Sequence, residues 1–552
     1  MPLRGRARRG ALGQEGWIME VIVEDASFVT MSAEPEPARS LLIRDGRIAA
    51  VGPEAGAARA AAGPGAAVVR LDGATVIPGL VDAHCHVTDV GYLAAAADCS
   101  QPSAPGIEAI KARLRAAAER TPDGSWVTGG GYAEYKLREN RHPTRADLDQ
   151  AVPGRPAVLY HTSLHACVLN SAALREAGFA DGQPDPPGGA FGRDGEGRLD
   201  GVVYEAPMFA LFEQNLRRDL ARMSGPAGSE LIAAAGQKLA SFGITSACDA
   251  DMRTETFAAF AEADAAGRLS QRIGGLVVHD HAAAVPRGRH SGRLATGAVK
   301  IWADGGMSSR TAAIGGTYPV PPYGSGILSF ERDELTELIR HFDTSGFQVC
   351  VHAQGDRAIE TVLDAYAAVL APGAGNPRRH RIEHGGAMYQ DLTERASALR
   401  IVIASQPGFL SGLGDGFAAA FPDTCDQLYA FGSWQRAGLV VAGSSDSPVI
   451  TADPRIGLRD AIMRRTGDGR VLGPGERLSA RQALALYTTQ AAYACHRERE
   501  IGSLEPGKLA DFTVLDANPL ETEPERIGDI AVLATVVDGT PVYQSGNLFP
   551  DW

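Results

Sequence analysis

Apolar and polar positions follow two rhythms along this chain. Between residues 18 and 75 the apolar runs are short and β-prone, and in SLLIRDGRIAAVG (40–52) two of them flank Asp45-Gly46, a pair suited to a two-residue hairpin turn. From residue 76 the rhythm changes. Segments with helical spacing alternate with continuous apolar runs: SELIAAAGQKLASFG precedes ITSACDA, ERDELTELIRHFDTSG precedes FQVCVHAQGD, and RAIETVLDAYAAVLA precedes HRIEHGG. The series continues through LRIVIASQPGF, LVVAGSSDSPV and SARQALALYTTQAAYA. Repeated βα units imply a parallel sheet, and this many over roughly 400 residues favour an α/β fold of the (β/α)8 TIM barrel type over an open sheet.

The C-terminal runs LADFTVLDANPL and AVLATVVDGTPVYQSG return to the first rhythm. They are expected to complete the N-terminal unit, giving a small discontinuous β-sandwich domain built from both termini. The expected division is a disordered leader over 1–17, the two parts of the β domain over 18–75 and 495–552, and the barrel with its insertions over 76–494. Residues 181–200, DGQPDPPGGAFGRDGEGRLD, read as a linker or an active-site loop.

Composition narrows the function. With 552 residues, 44% hydrophobic and 22% charged, the chain has the make-up of an ordinary soluble protein. A net charge of −13 argues against nucleic acid or an anionic membrane as partner, because both require a concentrated basic surface. Seven cysteines, an odd number without CxxC pairs, suit free thiols in a reducing compartment, and the cytoplasm is the expected location. The leader MPLRGRARRGALGQEGW is basic but has no apolar segment after it, and no later stretch stays apolar for a membrane span.

The chemistry gathers where apolar runs end. In VIPGLVDAHCHV, strand alternation turns His84 and His86 to one face and Cys85 to the other. Two imidazoles at a strand end can share a divalent metal, but two ligands seldom hold one, so further ligands are expected. His352, His384, Asp446 and Lys300 each close another apolar run. Their convergence at the C-terminal mouth of a barrel, where βα barrels carry their sites, predicts a metal centre. His279-Asp280-His281 has the same spacing, but polar sequence follows it, and it reads as a strand-end pair outside any site.

The motifs VIPGLVDAHCHV, VHAQGDRAI, RIEHGG, GSSDSPV and IGSLEPGKLADFTVLDANPL resemble the amidohydrolase superfamily of metal-dependent hydrolases. GSWVTGGGY, LHACVLNSAAL, VKIWADGGMSSRTA and SQPGFL are similar, more narrowly, to amidohydrolase family 3, which includes N-substituted formamide deformylases. The resemblance runs from about residue 20 to 545. It implies one or two divalent ions, zinc by default with manganese or iron as alternatives. His84 and His86 would bind the more buried ion, and His352 and His384 the second. Asp446 would touch a metal and act as general base. Lys300 matches a position that carries N6-carboxylysine in many members, where the carbamate anion bridges two cations.

The implied reaction is attack of a metal-activated water on a carbonyl, cleaving an amide or N-substituted formamide of a small molecule. His165, Asp304, Arg310 and Gln406 are candidates for substrate contact. Glu205 is a pocket or supporting acid, and Trp302, Tyr318 and Tyr323 are candidates for an apolar wall. Two other functions fit the same residues: a deaminase of a cyclic amidine or aromatic ring, and a non-catalytic metal-binding protein. A homodimer is left open.

Overall fold

The computed structural model describes residues 20–33, 38–53, 57–222, 227–319, 324–371, 373 and 375–549. The expected leader and Tyr323 lie outside them.

Eight parallel strands run in chain order around a nearly closed barrel: β1 (Leu80–Cys85), β2 (Ile244–Met252), β3 (Arg272–Val278), β4 (Leu294–Trp302), β5 (Gln348–Ala353), β6 (Arg381–His384), β7 (Val402–Ser405) and β8 (Val441–Gly443). Backbone bonds across the seam join its first and last strands: Asp446 N–H donates to His84 O at 2.8 Å, and His86 N–H to Ser447 O at 2.9 Å. The expected TIM barrel is therefore present. Helices Arg332–Thr344, Asp356–Val369 and Gln390–Ala398 make the crossovers after β4, β5 and β6. A strand covered by helices outside and by its neighbours' side chains inside has no wet face, and all six residues of β5 are buried. Val299, Val349, Val351 and Ile382 belong to the same core as Leu335, Ile339, Ile359 and Leu363 of the covering helices. Each such aliphatic side chain contributes about 2 kcal/mol on burial.

The β domain is drawn from both ends of the chain, as expected. Strands between Glu20 and Pro78 join Phe512–Leu515, Val532–Val537 and Thr540–Gln544 in one eight-stranded sheet. The junction is the antiparallel pairing of Thr75–Pro78 with Phe512–Leu515. At the expected hairpin, Asp45 and Gly46 both take positive φ, 50° and 73°, matching the tight turn between Ala38–Arg44 and Arg47–Gly52.

A third sheet was not anticipated. Six strands between Ala97 and Glu205 form a layer with its own apolar clusters, inserted after β1. The stretch 181–200 contains one of its edge strands, Gly189–Arg193, and the start of Leu199–Glu205. Gly189 and Gly192 remove the apolar alternation that would have marked a strand there. The strand Ala157–His161 of this sheet leads directly into Ser163 and His165, beside the barrel mouth. All seven cysteines are free. Among the described residues no helix is long and apolar enough to cross a membrane.

Candidate metal centre

His84 and His86 leave the end of β1, and each is oriented by an acid. The His84 Nδ1–H donates to the Glu383 carboxylate. Arg381 grips that carboxylate through Nε (2.7 Å) and Nη2 (2.6 Å) and donates to Ala83 O at 3.0 Å. With its proton fixed on Nδ1, His84 turns a bare Nε2 toward Lys300 Nζ at 3.1 Å and Asp446 Oδ1 at 3.4 Å. His86 Nε2 stands 3.0 Å from Asp446 Oδ1, and its Nδ1 is 3.6 Å from Asp89.

On the opposite wall, His384 Nδ1–H donates to Gln406 Oε1 at 2.9 Å, while the Gln406 amide is held by Ser444 Oγ at 3.0 Å. His352 places Nε2 3.2 Å from Gly305 O, which leaves Nδ1 as its bare nitrogen. The rings of His352 and His384 lie 4.4 Å apart, and those of His384 and His84 4.8 Å apart. His384 (φ 71°) and Asp446 (φ 56°) occupy the left-handed region. Such backbone costs about 1 kcal/mol or more per residue and collects at functional sites.

Burial dominates the electrostatics. It takes His84, His352 and His384 well below the usual imidazole range, with the Lys300 charge adding to the effect, so they are neutral and able to coordinate a cation. Burial also lowers the Lys300 ammonium pKa. For His86 burial acts the same way, but the hydrogen bond and charge of Asp446 outweigh it and raise the imidazole to about 9. A cation held by His86 would have to displace that proton.

The residues fit a divalent ion. Ligand atoms of His84, His86 and Asp446 lie within 4.8 Å of one another. His384 Nε2 and His86 Nδ1 are buried without a hydrogen-bond partner among the described residues, a costly arrangement unless a ligand completes it. Both residues line a cavity of about 30 Å3 that is also lined by Lys300, His352 and His165.

The structure brings His84, His86, Lys300, His352, His384, Asp446 and His165 to this one cavity. His165 donates from Nδ1 to Glu205 Oε2 at 2.8 Å, and its ring is 5.0 Å from that of His352. Trp302 also lines the cavity, with Phe209 5.7 Å away, ring to ring. Asp304, Arg310 and Gln406 do not line it. The Asp304 carboxylate accepts from the backbone N–H groups of Gln354 (3.0 Å), Gly355 (2.8 Å) and Ala313 (2.9 Å), pinning the loop after β4 to the end of β5. Arg310 pairs with Glu134 at a neighbouring cavity of about 790 Å3. Gln406 acts through His384. Tyr318 packs on Phe421 and donates to Ala312 O at 2.9 Å. His279 and His281 form a short turn at the end of β3, outside the cavity.

Arg381, Glu383, Ser163 and Phe209 were not anticipated. For the first two a signal existed: oppositely charged residues two apart on one face of an otherwise apolar strand require each other when buried.

The chain belongs to the amidohydrolase family, whose model matches residues 67–543. It is 31% identical to the N-substituted formamide deformylase of Arthrobacter pascens, over 95% of this chain and 98% of that one. It is 29% identical to the putative amidohydrolase YtcJ of Bacillus subtilis (strain 168), over 95% of this chain and all of that one. Among solved structures it resembles an uncharacterized metal-dependent hydrolase from Pyrococcus furiosus, at TM-score 0.69 and 27% identity, covering 91% of this chain and 100% of the other. A Pyrococcus horikoshii hydrolase shares the fold at TM-score 0.73 and 24% identity, covering 92% and 99%. The protein is thus a hydrolase acting on carbon–nitrogen bonds.

Proposed function

We propose that the protein is a metal-dependent amidohydrolase that cleaves the C–N bond of an N-substituted formamide. The observation that carries this reading is the convergence of five histidines, Lys300 and Asp446 on one small chamber. That chamber, about 30 Å3, has the room of one or two waters, which suits ions and a water held between them. Trp302, Phe209, Leu164 and Val449 then offer an apolar wall to the substituent on nitrogen. The likeness to the Arthrobacter pascens deformylase supports the same class.

His84, His86 and Asp446 would hold one divalent ion, zinc by default, and His352 with His384 a second. Lys300 in its neutral form is the amine that carbon dioxide carboxylates, and an N6-carboxylysine there would replace a cation beside the metals with an anion. Such ions lower the pKa of water toward 7 and polarise a carbonyl. Asp446, within reach of both His84 and His86, accepts the proton of the attacking water and returns it to the departing nitrogen. His165, held by Glu205, faces the same space and positions the substrate. Asp304, Arg310 and Gln406 support binding indirectly, through the loop after β4 and through His384.

Asp446→Asn tests the assignment. It should keep fold and most metal, measured by circular dichroism and elemental analysis, and lose about 10²- to 10⁴-fold in turnover of formamides. Activity within about tenfold of the parent would refute the base role. A preference for bulky acyl groups over formyl would refute the substrate class, and ammonia release from an aminated ring without formamide turnover would move the assignment to a deaminase.

A further inference from the structure

Beside the metal chamber an acid, an imidazole and a hydroxyl stand in series, and none has a role in the steps above. Glu134 follows the strand Val127–Tyr132, His161 ends the strand Ala157–His161, and Ser163 lies two residues further on. Glu134 Oε1 receives the Arg310 guanidinium, and Oε2 lies 3.0 Å from His161 Nε2. His161 Nδ1 accepts the Ser163 backbone N–H at 3.1 Å and stands 2.7 Å from Ser163 Oγ. Ser163 Oγ accepts the His165 N–H at 3.1 Å. All three side chains are buried.

These contacts settle where the protons sit. An Nδ1 that accepts a backbone N–H carries no hydrogen, so the His161 proton is on Nε2, on the side of the Glu134 carboxylate. The Ser163 hydroxyl proton then points at Nδ1. One Ser163 lone pair is taken by His165 N–H, and no described protein group takes the second. Ser163 lines the metal chamber. The series therefore fixes the hydroxyl as an acceptor, with no proton left to offer a ligand.

We propose that Ser163 accepts the N–H of the scissile amide, so that the enzyme selects secondary over tertiary amides; this rests on the amidohydrolase reading above. A site whose hydrogen-bonding capacity is fixed discriminates strongly against a substrate that lacks the matching group. A tertiary amide would leave the Ser163 lone pair buried and unmatched.

The test uses the metal-loaded enzyme with an N-monosubstituted formamide and its N-methylated tertiary counterpart. The parent should prefer the secondary amide by about tenfold or more in kcat/KM. Ser163→Ala should lower kcat/KM for the secondary amide about tenfold and leave the tertiary one within about twofold, and Ser163→Thr, which keeps the hydroxyl, should restore the preference. In an Asp446→Asn background, calorimetry should show Ser163→Ala weakening secondary-amide binding by a similar factor. Equal turnover of both amides by the parent would overturn the proposal. So would an equal loss on both in Ser163→Ala, or a gain on the tertiary amide alone, which would mark Ser163 as a steric wall. Turnover of neither amide would instead refute the amidohydrolase reading itself, and the proposal with it.

Discussion

Glu383→Gln removes a negative charge from a place where nothing can replace it. Arg381 and Glu383 are both fully excluded from solvent, and the carboxylate is the guanidinium's only acidic hydrogen-bond partner among the described residues. Breaking a buried pair from one side costs about 3–5 kcal/mol, because a charge is left uncompensated. Glutamine keeps the shape and one acceptor oxygen, so the lower end, about 3 kcal/mol, is expected. The second effect reaches the metal. His84 Nδ1–H loses its charged acceptor, which makes Nε2 a weaker ligand and lowers metal affinity about 10- to 100-fold. The two effects separate in the double variant Arg381→Met, Glu383→Gln. With no buried charge left, most of the stability returns, while the metal affinity stays low. Urea unfolding of chelator-stripped protein measures the first quantity, and competition with a chromophoric chelator the second. Parent-like metal affinity in Glu383→Gln, or a double variant no more stable than the single one, would refute the argument.

Two further outcomes follow from other parts of the molecule. Burial takes His142 from 6.5 down to about 4, so between those values the unfolded chain holds a proton that the folded one refuses. Its folded pKa is depressed, so stability falls as pH drops through that window, by up to about 3 kcal/mol, and His142→Gln should flatten that part of the urea-midpoint profile. An unchanged profile would show that His142 stays solvated. Gly355→Ala would place a methyl 1.9 Å from Ala313 O, at the junction that Asp304 pins, and should cost about 1–3 kcal/mol with a larger proportional fall in kcat than in folded fraction. Parent-like turnover would show that the loop after β4 yields freely.

The barrel was legible because its strands are buried on both faces and therefore read as unbroken apolar runs, as in QVCVHA. The metal cluster was legible for a related reason: imidazoles stand out where such runs stop. Asp304 misled because an acid on a Gly/Ser-rich loop looks free, whereas three backbone amides consume it, and amides leave no mark in side-chain patterns. The inserted sheet was hidden in part by glycine in its edge strand Gly189–Arg193. Ser163 was unreadable for the same reason as Asp304. Its meaning depends on which nitrogen of His161 bears hydrogen, and that is decided by a backbone N–H, which leaves no mark in the side-chain pattern.

The seam of the barrel has a consequence for biosynthesis. Asp446 and His86 are 360 positions apart, yet their neighbouring backbones hold each other directly, and the strand leading into β1 borders one that begins at Phe512. A nascent chain can stack its early βα layers while still on the ribosome, but the centre that would cut substrate has no closed wall until Asp446 and Ser447 have emerged. A copy terminated before Asp446 would therefore lack both the seam and the acid beside His86.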